Sequence, residues 1–204
     1  MKLSEHLASP SEAALSHSNK LDGLRLSPHF TLGELTKSKY AEVYNIPSRV
    51  AIENLKRVCG WLEVLRERYN LRYVLAHVAT REGQTPCNPL ACGIAAHTGV
   101  SPCVSHVSQE EPIVINSGYR SPELNRKVGG AKGSNHLTGC AVDIRCYGIE
   151  QALRYAVILM DISDESKEVF DELLIEKHGS TIWLHFAVRP PTQVNRRKIS
   201  FLNA

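Results

Sequence analysis

The stretch GSNHLTGCAVDIR, Gly133 to Arg145, sets His136 and Asp143 with six residues between them among glycines and small side chains. Such a pair is either two metal ligands or the polar end of a loop that enters a strand and is held by local hydrogen bonds. Two ligands do not make a site. The choice depends on whether the chain also supplies a third ligand, a group to move a proton and a clamp for substrate.

The segment ELLIEKHGSTIWLHFAV, Glu172 to Val188, reads as two strands around a tight turn. In the second strand Ile182, Leu184, Phe186 and Val188 alternate with Thr181, Trp183, His185 and Ala187. The apolar set belongs to the core, so His185 faces the other way, where a site can lie. A two-residue turn at Gly179 and Ser180, of the type with glycine first, fixes the pairing. Glu176 then stands opposite Trp183 and diagonal to His185, with Cα atoms roughly 7–8 Å apart on one face. That span suits a metal-bound histidine and a carboxylate acting on one water.

A hydrolytic zinc ion takes three protein ligands and keeps a fourth position open for water. It lowers the pKa of that water and polarises a carbonyl, while a nearby carboxylate carries the proton. His136, Asp143 and His185 are the candidate ligands, Glu176 the proton carrier and Arg120 the clamp for a carboxylate or developing oxyanion. Read residue by residue, each has an ordinary alternative. Arg120 can be a structural ion-pair partner, Glu176 a solvated strand end, and Trp183 a core aromatic instead of a wall of the cleft.

The rest of the chain supplies scaffold. Thr31 is a possible N-cap for a short helix in FTLGELTKS. After Pro47 and Ser48, the residues Ile52, Leu55, Val58, Cys59, Leu62 and Leu65 recur at helical spacing to about Tyr69. PIVINSGYR reads as a strand, SPELNRKVGG as a helix with Ser121 as N-cap and Pro122 at its first position, and CAVDIRC as a strand. IEQALRYAVILMDI reads as a helix with an apolar stripe at Ile149, Leu153, Ala156, Val157 and Met160. Strands and helices in this order give an α+β fold, without a regular βαβ alternation or an internal repeat.

Residues 117–145, SGYRSPELNRKVGGAKGSNHLTGCAVDIR, resemble the signature of the zinc D-alanyl-D-alanine carboxypeptidases and L-alanyl-D-glutamate endopeptidases. These bacterial and phage cell-wall peptidases share a fold with the Hedgehog signalling domain. Their Ser-x-His-x-x-Gly-x-Ala-x-Asp motif falls on Ser134, His136, Gly139, Ala141 and Asp143, their Ser-Gly-Tyr-Arg strand on Ser117 to Arg120, and their closing Trp-x-His on Trp183 to His185. FTLGELTKS and the helix from Pro47 are similar to the phage-type branch. The resemblance implies an antiparallel sheet with flanking helices and a helical N-terminal portion. It implies zinc on His136, Asp143 and His185, substrate contacts at Ser134, Tyr119 and Trp183, and a carboxylate-holding role for Arg120. The partner it implies is the peptidoglycan stem peptide, cut at a D-Ala-D-Ala terminus or an L-Ala-D-Glu bond. One position departs. Many members carry the catalytic Glu or Asp three residues before the last histidine, where this chain has Ile182. Glu176 resembles the glutamate that some members place on the neighbouring strand, with His178 as the fallback. A non-catalytic zinc domain that binds cell-wall peptide or a protein, in a phage structural component for example, is the competing expectation.

With 204 residues and a net charge of +3, the composition argues for neither nucleic acid nor a membrane surface. No run approaches the roughly 20 apolar residues of a membrane span. The first 20 residues lack the apolar core of a secretory signal. The expectation is a chain made in the cytoplasm that reaches the wall through lysis, a holin or a phage particle. The organisation expected is a polar lead-in over 1–27, one domain over 28–190 with an irregular insert at 76–111, and a tail over 191–204. Of six cysteines, Cys59, Cys140 and Cys146 read as core. Cys87, Cys92 and Cys103, with His97 and His106, lie in the insert. They offer a second, structural zinc, a disulfide between Cys87 and Cys103, or incidental thiols.

Overall fold

Helix α2, Arg49–Tyr69, is the scaffold on which the fold is laid, and Ser48 caps it by accepting from the Ala51 amide. Its stripe of Leu55, Val58, Cys59, Leu62 and Leu65 is fully buried. The computed structural model describes residues 22–74 and 110–203, so the lead-in to residue 21 and most of the expected insert lie outside the described residues. Ahead of α2 comes α1, Leu32–Thr36, which starts in a capping box between Thr31 and Glu34. After it come β1 (Ile115–Ser117), α3 (Pro122–Lys127), β2 (Ala141–Cys146), α4 (Ile149–Ser166), β3 (Glu172–His178), β4 (Thr181–Ala187) and β5 (Lys198–Asn203).

The strands form one five-stranded sheet in the order β1-β2-β4-β3-β5. The first four pair antiparallel, as expected, while β5 joins β3 in parallel and makes the sheet mixed. On the core face, Val142, Ile144, Leu173, Leu184 and Phe186 pack beneath α2 and α4. Trp61 of α2 tilts against Phe186 with centroids 5.4 Å apart, and Tyr69 meets Tyr155 of α4 edge-on at 4.7 Å. The fold is α+β, as the element order implies.

Two expectations change. The apolar stripe of α4 is rotated: Ile149, Leu153 and Val157 are exposed, whereas Ala152, Tyr155, Ile158, Leu159 and Ile162 are buried. Glu150, Arg154, Asp161, Asp164 and Glu165 gather on one side of this helix, and the buried residues lie opposite them. The segment after residue 190 does not trail away, because Lys198–Asn203 form β5. Asp171 is the reason. Its carboxylate is fully buried and accepts from Arg196 at 2.8 and 2.7 Å, from Asn135 at 2.8 Å and from the Arg196 amide at 3.2 Å. Arg189 completes the cage at 3.0 Å. These partners hold the Asp171 carboxyl below the usual carboxylate range against the opposing effect of burial.

No helix among the described residues is long and apolar enough to cross a membrane. Cys59, Cys140 and Cys146 are buried and unpaired, and burial pushes the Cys59 and Cys146 thiols up to about 12. Replacing Asp171 by alanine removes the shared partner of Arg189 and Arg196, which reach solvent, and frees β5. Denaturant unfolding is expected to show a loss of about 1–3 kcal/mol relative to the parent chain, and no measurable loss would show that the tail is anchored otherwise.

Candidate metal centre

Three elements bring His136, Asp143 and His185 together. Asp143 of β2 pairs directly with His185 of β4, which places both side chains on the sheet face away from the core. His136 sits in a 3-10 turn, Asn135–Thr138, whose N-cap Ser134 accepts from the His136 amide. The turn ends at Gly139 in the left-handed region, with φ 71, and a Cβ there would lie 2.5 Å from the Ala51 carbonyl oxygen of α2. Only glycine fits both demands. Asn54 of α2 donates to the Thr138 carbonyl at 2.9 Å, so the turn is seated on the scaffold helix. The strand before Arg120 is set the same way: Tyr119 donates to the Leu35 carbonyl at 2.8 Å, and a Cβ on Gly118 would come within 2.3 Å of that oxygen.

The donor atoms form a small triangle. His136 Nε2 lies 3.2 Å from Asp143 Oδ1 and 3.2 Å from His185 Nδ1, and His185 Nδ1 lies 2.9 Å from Asp143 Oδ1. All three residues are buried. Tetrahedral bonds of about 2.0–2.1 Å to zinc require ligand atoms separated by about 3.3 Å. The triangle therefore fits.

Tautomers reinforce the fit. His136 Nδ1 is 2.6 Å from the Gly118 carbonyl, which can only accept, so Nδ1 carries the proton and Nε2 presents its lone pair inward. His185 Nε2 faces Glu172 Oε2 at 3.6 Å, an ion-pair distance rather than a good hydrogen bond, which turns Nδ1 inward as well. Two lone pairs and a carboxylate then converge on one point, and outer partners hold the ligands, as metal sites require. Arg120 adds to this shell by donating from Nη2 to Asp143 Oδ2 and from Nε to Ser117 Oγ at 2.8 Å. Burial disfavours the Asp143 charge, but the two histidines outweigh it and lower its pKa. Burial likewise opposes charge on His185, yet the Asp143 and Glu172 carboxylates raise it to about 9.

A cleft of about 580 Å³ opens from the triangle, lined also by Arg120, Ser134, Glu176, His178 and Trp183. Glu176 pairs with Trp183, as the tight turn implies, and Gly179 at φ 58 makes that turn. Tyr119 is not brought to the cleft. Its ring is part of the hydrophobic core because the strand that carries it is pinned against α1. Arg120 reaches the site by way of Asp143, with Nη1 left unbonded among the described residues. The sequence reading overlooked Glu172, which accepts from Asn135 at 2.9 Å and contacts Arg196 at 3.0 Å and Lys198 at 3.5 Å. His185 beside it, more than these partners, holds the Glu172 carboxyl down to about 2. The alternation that identifies Glu176 also marks Glu172, the other diagonal neighbour of His185. The cysteines and histidines of the insert lie outside the described residues.

Residues 78–159 match the sequence profile of the peptidase M15 family. The match covers less than half of the chain, includes Arg120, His136 and Asp143, and ends before β3. Over 39 residues the chain is 44% identical to the zinc D-Ala-D-Ala carboxypeptidase of Streptomyces albus G. That alignment spans 19% of this chain and 15% of the relative. Both comparisons support kinship with zinc peptidases, and the donor triangle agrees with the metal in the relative's name. Nothing in either match distinguishes a phage-type branch.

Zinc titration into metal-stripped protein is expected to saturate at about one ion per chain with release of about one proton at pH 7.5. The proton leaves His185, which holds it below about pH 9 in the metal-free chain. Release therefore fades as pH passes 9, and apparent affinity stops rising there. Calorimetry in buffers of different ionisation enthalpy measures the proton count. Stoichiometric tight binding by His136→Ala would remove the triangle as the site.

Proposed function

We propose that this chain is a zinc-dependent peptidase that hydrolyses a peptide bond of the peptidoglycan stem, of the D-Ala-D-Ala carboxypeptidase or L-Ala-D-Glu endopeptidase type. The observation that carries the proposal is the contrast between the two carboxylates flanking His185. Glu172 is occupied by Asn135, Arg196, Lys198 and His185. Glu176 lines the same cleft and makes no hydrogen bond or ion pair among the described residues. A general base needs an unengaged carboxylate beside the reacting water, and Glu176 is that group.

Zinc held by this donor set would polarise the scissile carbonyl and lower the pKa of a water. Glu176 takes the proton from that water and returns it to the leaving amine. Arg120 keeps Asp143 in place with Nη2 and offers Nη1 to a substrate carboxylate or to oxyanion charge. Trp183, half-buried opposite Glu176, forms a wall against the peptide, and Ser134 borders it. Glu172 orients His185 as a positioning residue.

A second reading, a non-catalytic zinc domain that binds cell-wall peptide or protein, is favoured by one observation. Ile182 stands where many members of the resembling family carry the catalytic acid, and it packs against the core.

Glu176→Gln is expected to keep one zinc and lose about 10²–10⁴-fold in kcat. Glu172→Gln is expected to keep Glu176 chemistry while weakening zinc binding about 10–100-fold. New amino termini in purified peptidoglycan, read by mass spectrometry, give the activity. Full activity in E176Q removes Glu176 from the mechanism, and no new termini with the zinc-loaded parent chain selects the second reading.

A further inference from the structure

A second cavity, of about 390 Å³, lies beside the metal cleft and shares Arg120 with it. The loop after α1 supplies Lys37 and Lys39, β2 supplies Arg145, and β1 and α3 supply the apolar surfaces of Ile115, Leu124 and Val128. No aspartate or glutamate lines it. Lys37, Lys39 and Arg145 make no ion pair among the described residues.

Other cations of the described residues also lack a carboxylate partner, but these three are gathered around one concavity with no acid in its wall. Arg145 is steadied by donating from Nε to Asn116 at 3.2 Å, and Lys39 lies 5.2 Å over the Tyr40 ring. These contacts hold the cations without neutralising them. Like charges around one concavity repel, and an anion entering it relieves the repulsion while gaining charge-assisted hydrogen bonds. The apolar surfaces accept an aliphatic arm. Arg120 itself is committed to Asp143, so it forms the partition between the two spaces rather than the anion's main partner.

We infer that this cavity is a subsite for a second carboxylate of the substrate, one borne on an aliphatic arm of the peptide whose scissile bond lies in the adjoining cleft. The inference rests on the proposed peptidase reading and adds to it a substrate requirement: a carboxylate that takes no part in the bond cleavage. A free α-carboxylate on a γ-linked D-glutamate has this form, and its amide does not.

The test uses zinc-loaded full chain and two stem-type peptides that differ only in a free or amidated α-carboxylate on D-glutamate. Binding is measured by calorimetry with E176Q, in which turnover is expected to be about 10²–10⁴-fold slower, and cleavage is measured separately with the parent chain. The free acid is expected to bind roughly tenfold tighter than the amide. Lys37→Gln and Arg145→Gln, each added to E176Q, should weaken the acid by about that factor and leave the amide unchanged. In the parent background the same changes should raise KM for the acid and leave kcat alone. Cleavage without discrimination between acid and amide overturns the subsite and leaves the peptidase reading standing. Discrimination without cleavage overturns the peptidase reading and, with it, the substrate role of the cavity, leaving only a carboxylate-binding site. No binding of either peptide overturns both. Tight binding of poly(glycerol phosphate) that Arg145→Gln abolishes, with both peptides bound alike, assigns the cavity to a phosphate polymer and overturns the inference.

Discussion

The carboxylate of Asp143 is the constraint around which this fold is arranged. It is nearly dry, and a buried carboxylate is tolerated only with compensating charge or strong donors on every side. Arg120 meets one oxygen, while His136 and His185 meet the other. Each comes from a different element: the segment after β1, the 3-10 turn and β4. The packing that looks most structural serves this meeting. Gly118 lets its strand approach α1, Gly139 lets the turn approach α2, and the pairing of β2 with β4 sets Asp143 beside His185. Removing the carboxylate would leave two imidazole nitrogens 3.2 Å apart with nothing between them.

Local geometry was legible in the sequence, and long-range partnership was not. Strand alternation in TIWLHFAV gives the outward face of His185, and the glycine-first turn gives Glu176 opposite Trp183, because both depend only on neighbours in sequence. The caps at Thr31, Ser48 and Ser121 are legible for the same reason. β5 escapes because its short polar approach carries no pattern until Arg196 meets Asp171, 25 residues away. Tyr119 looks like a site residue by its place in a motif, yet the close approach of Gly118 to α1 turns its ring inward. The buried face of α4 lies opposite Glu150, Arg154 and Asp161, and a stripe read from apolar residues alone misses it.

Glu172 and Glu176 show how a sheet assigns different work to like residues. Both lie on one face of β3, diagonal to His185 from opposite ends. Glu172 lies where Asn135 from the metal-binding turn and Arg196 from the approach to β5 both reach it, and its charge is spent on fixing the histidine. Glu176 lies toward the hairpin end, past those partners, and lines the cleft. The network that anchors the chain's last strand thereby also decides which carboxylate is free.

The hairpin explains why position 182 holds no acid. Residue 182 is three positions before His185, so in a regular strand it has the opposite parity and faces the core. The two-residue turn at Gly179 and Ser180 makes β4 regular from Thr181 onward, and Ile182 pairs with both Cys146 and Lys177. An acid there would lie on the face away from His185, beside Thr181 and Cys146, and so out of reach of the donor triangle. With this hairpin, an acid at that position cannot reach the cleft. The same short hairpin fixes β3 against β4 in the register that brings Glu176 beside Trp183, so one turn both points residue 182 away from the cleft and points residue 176 into it.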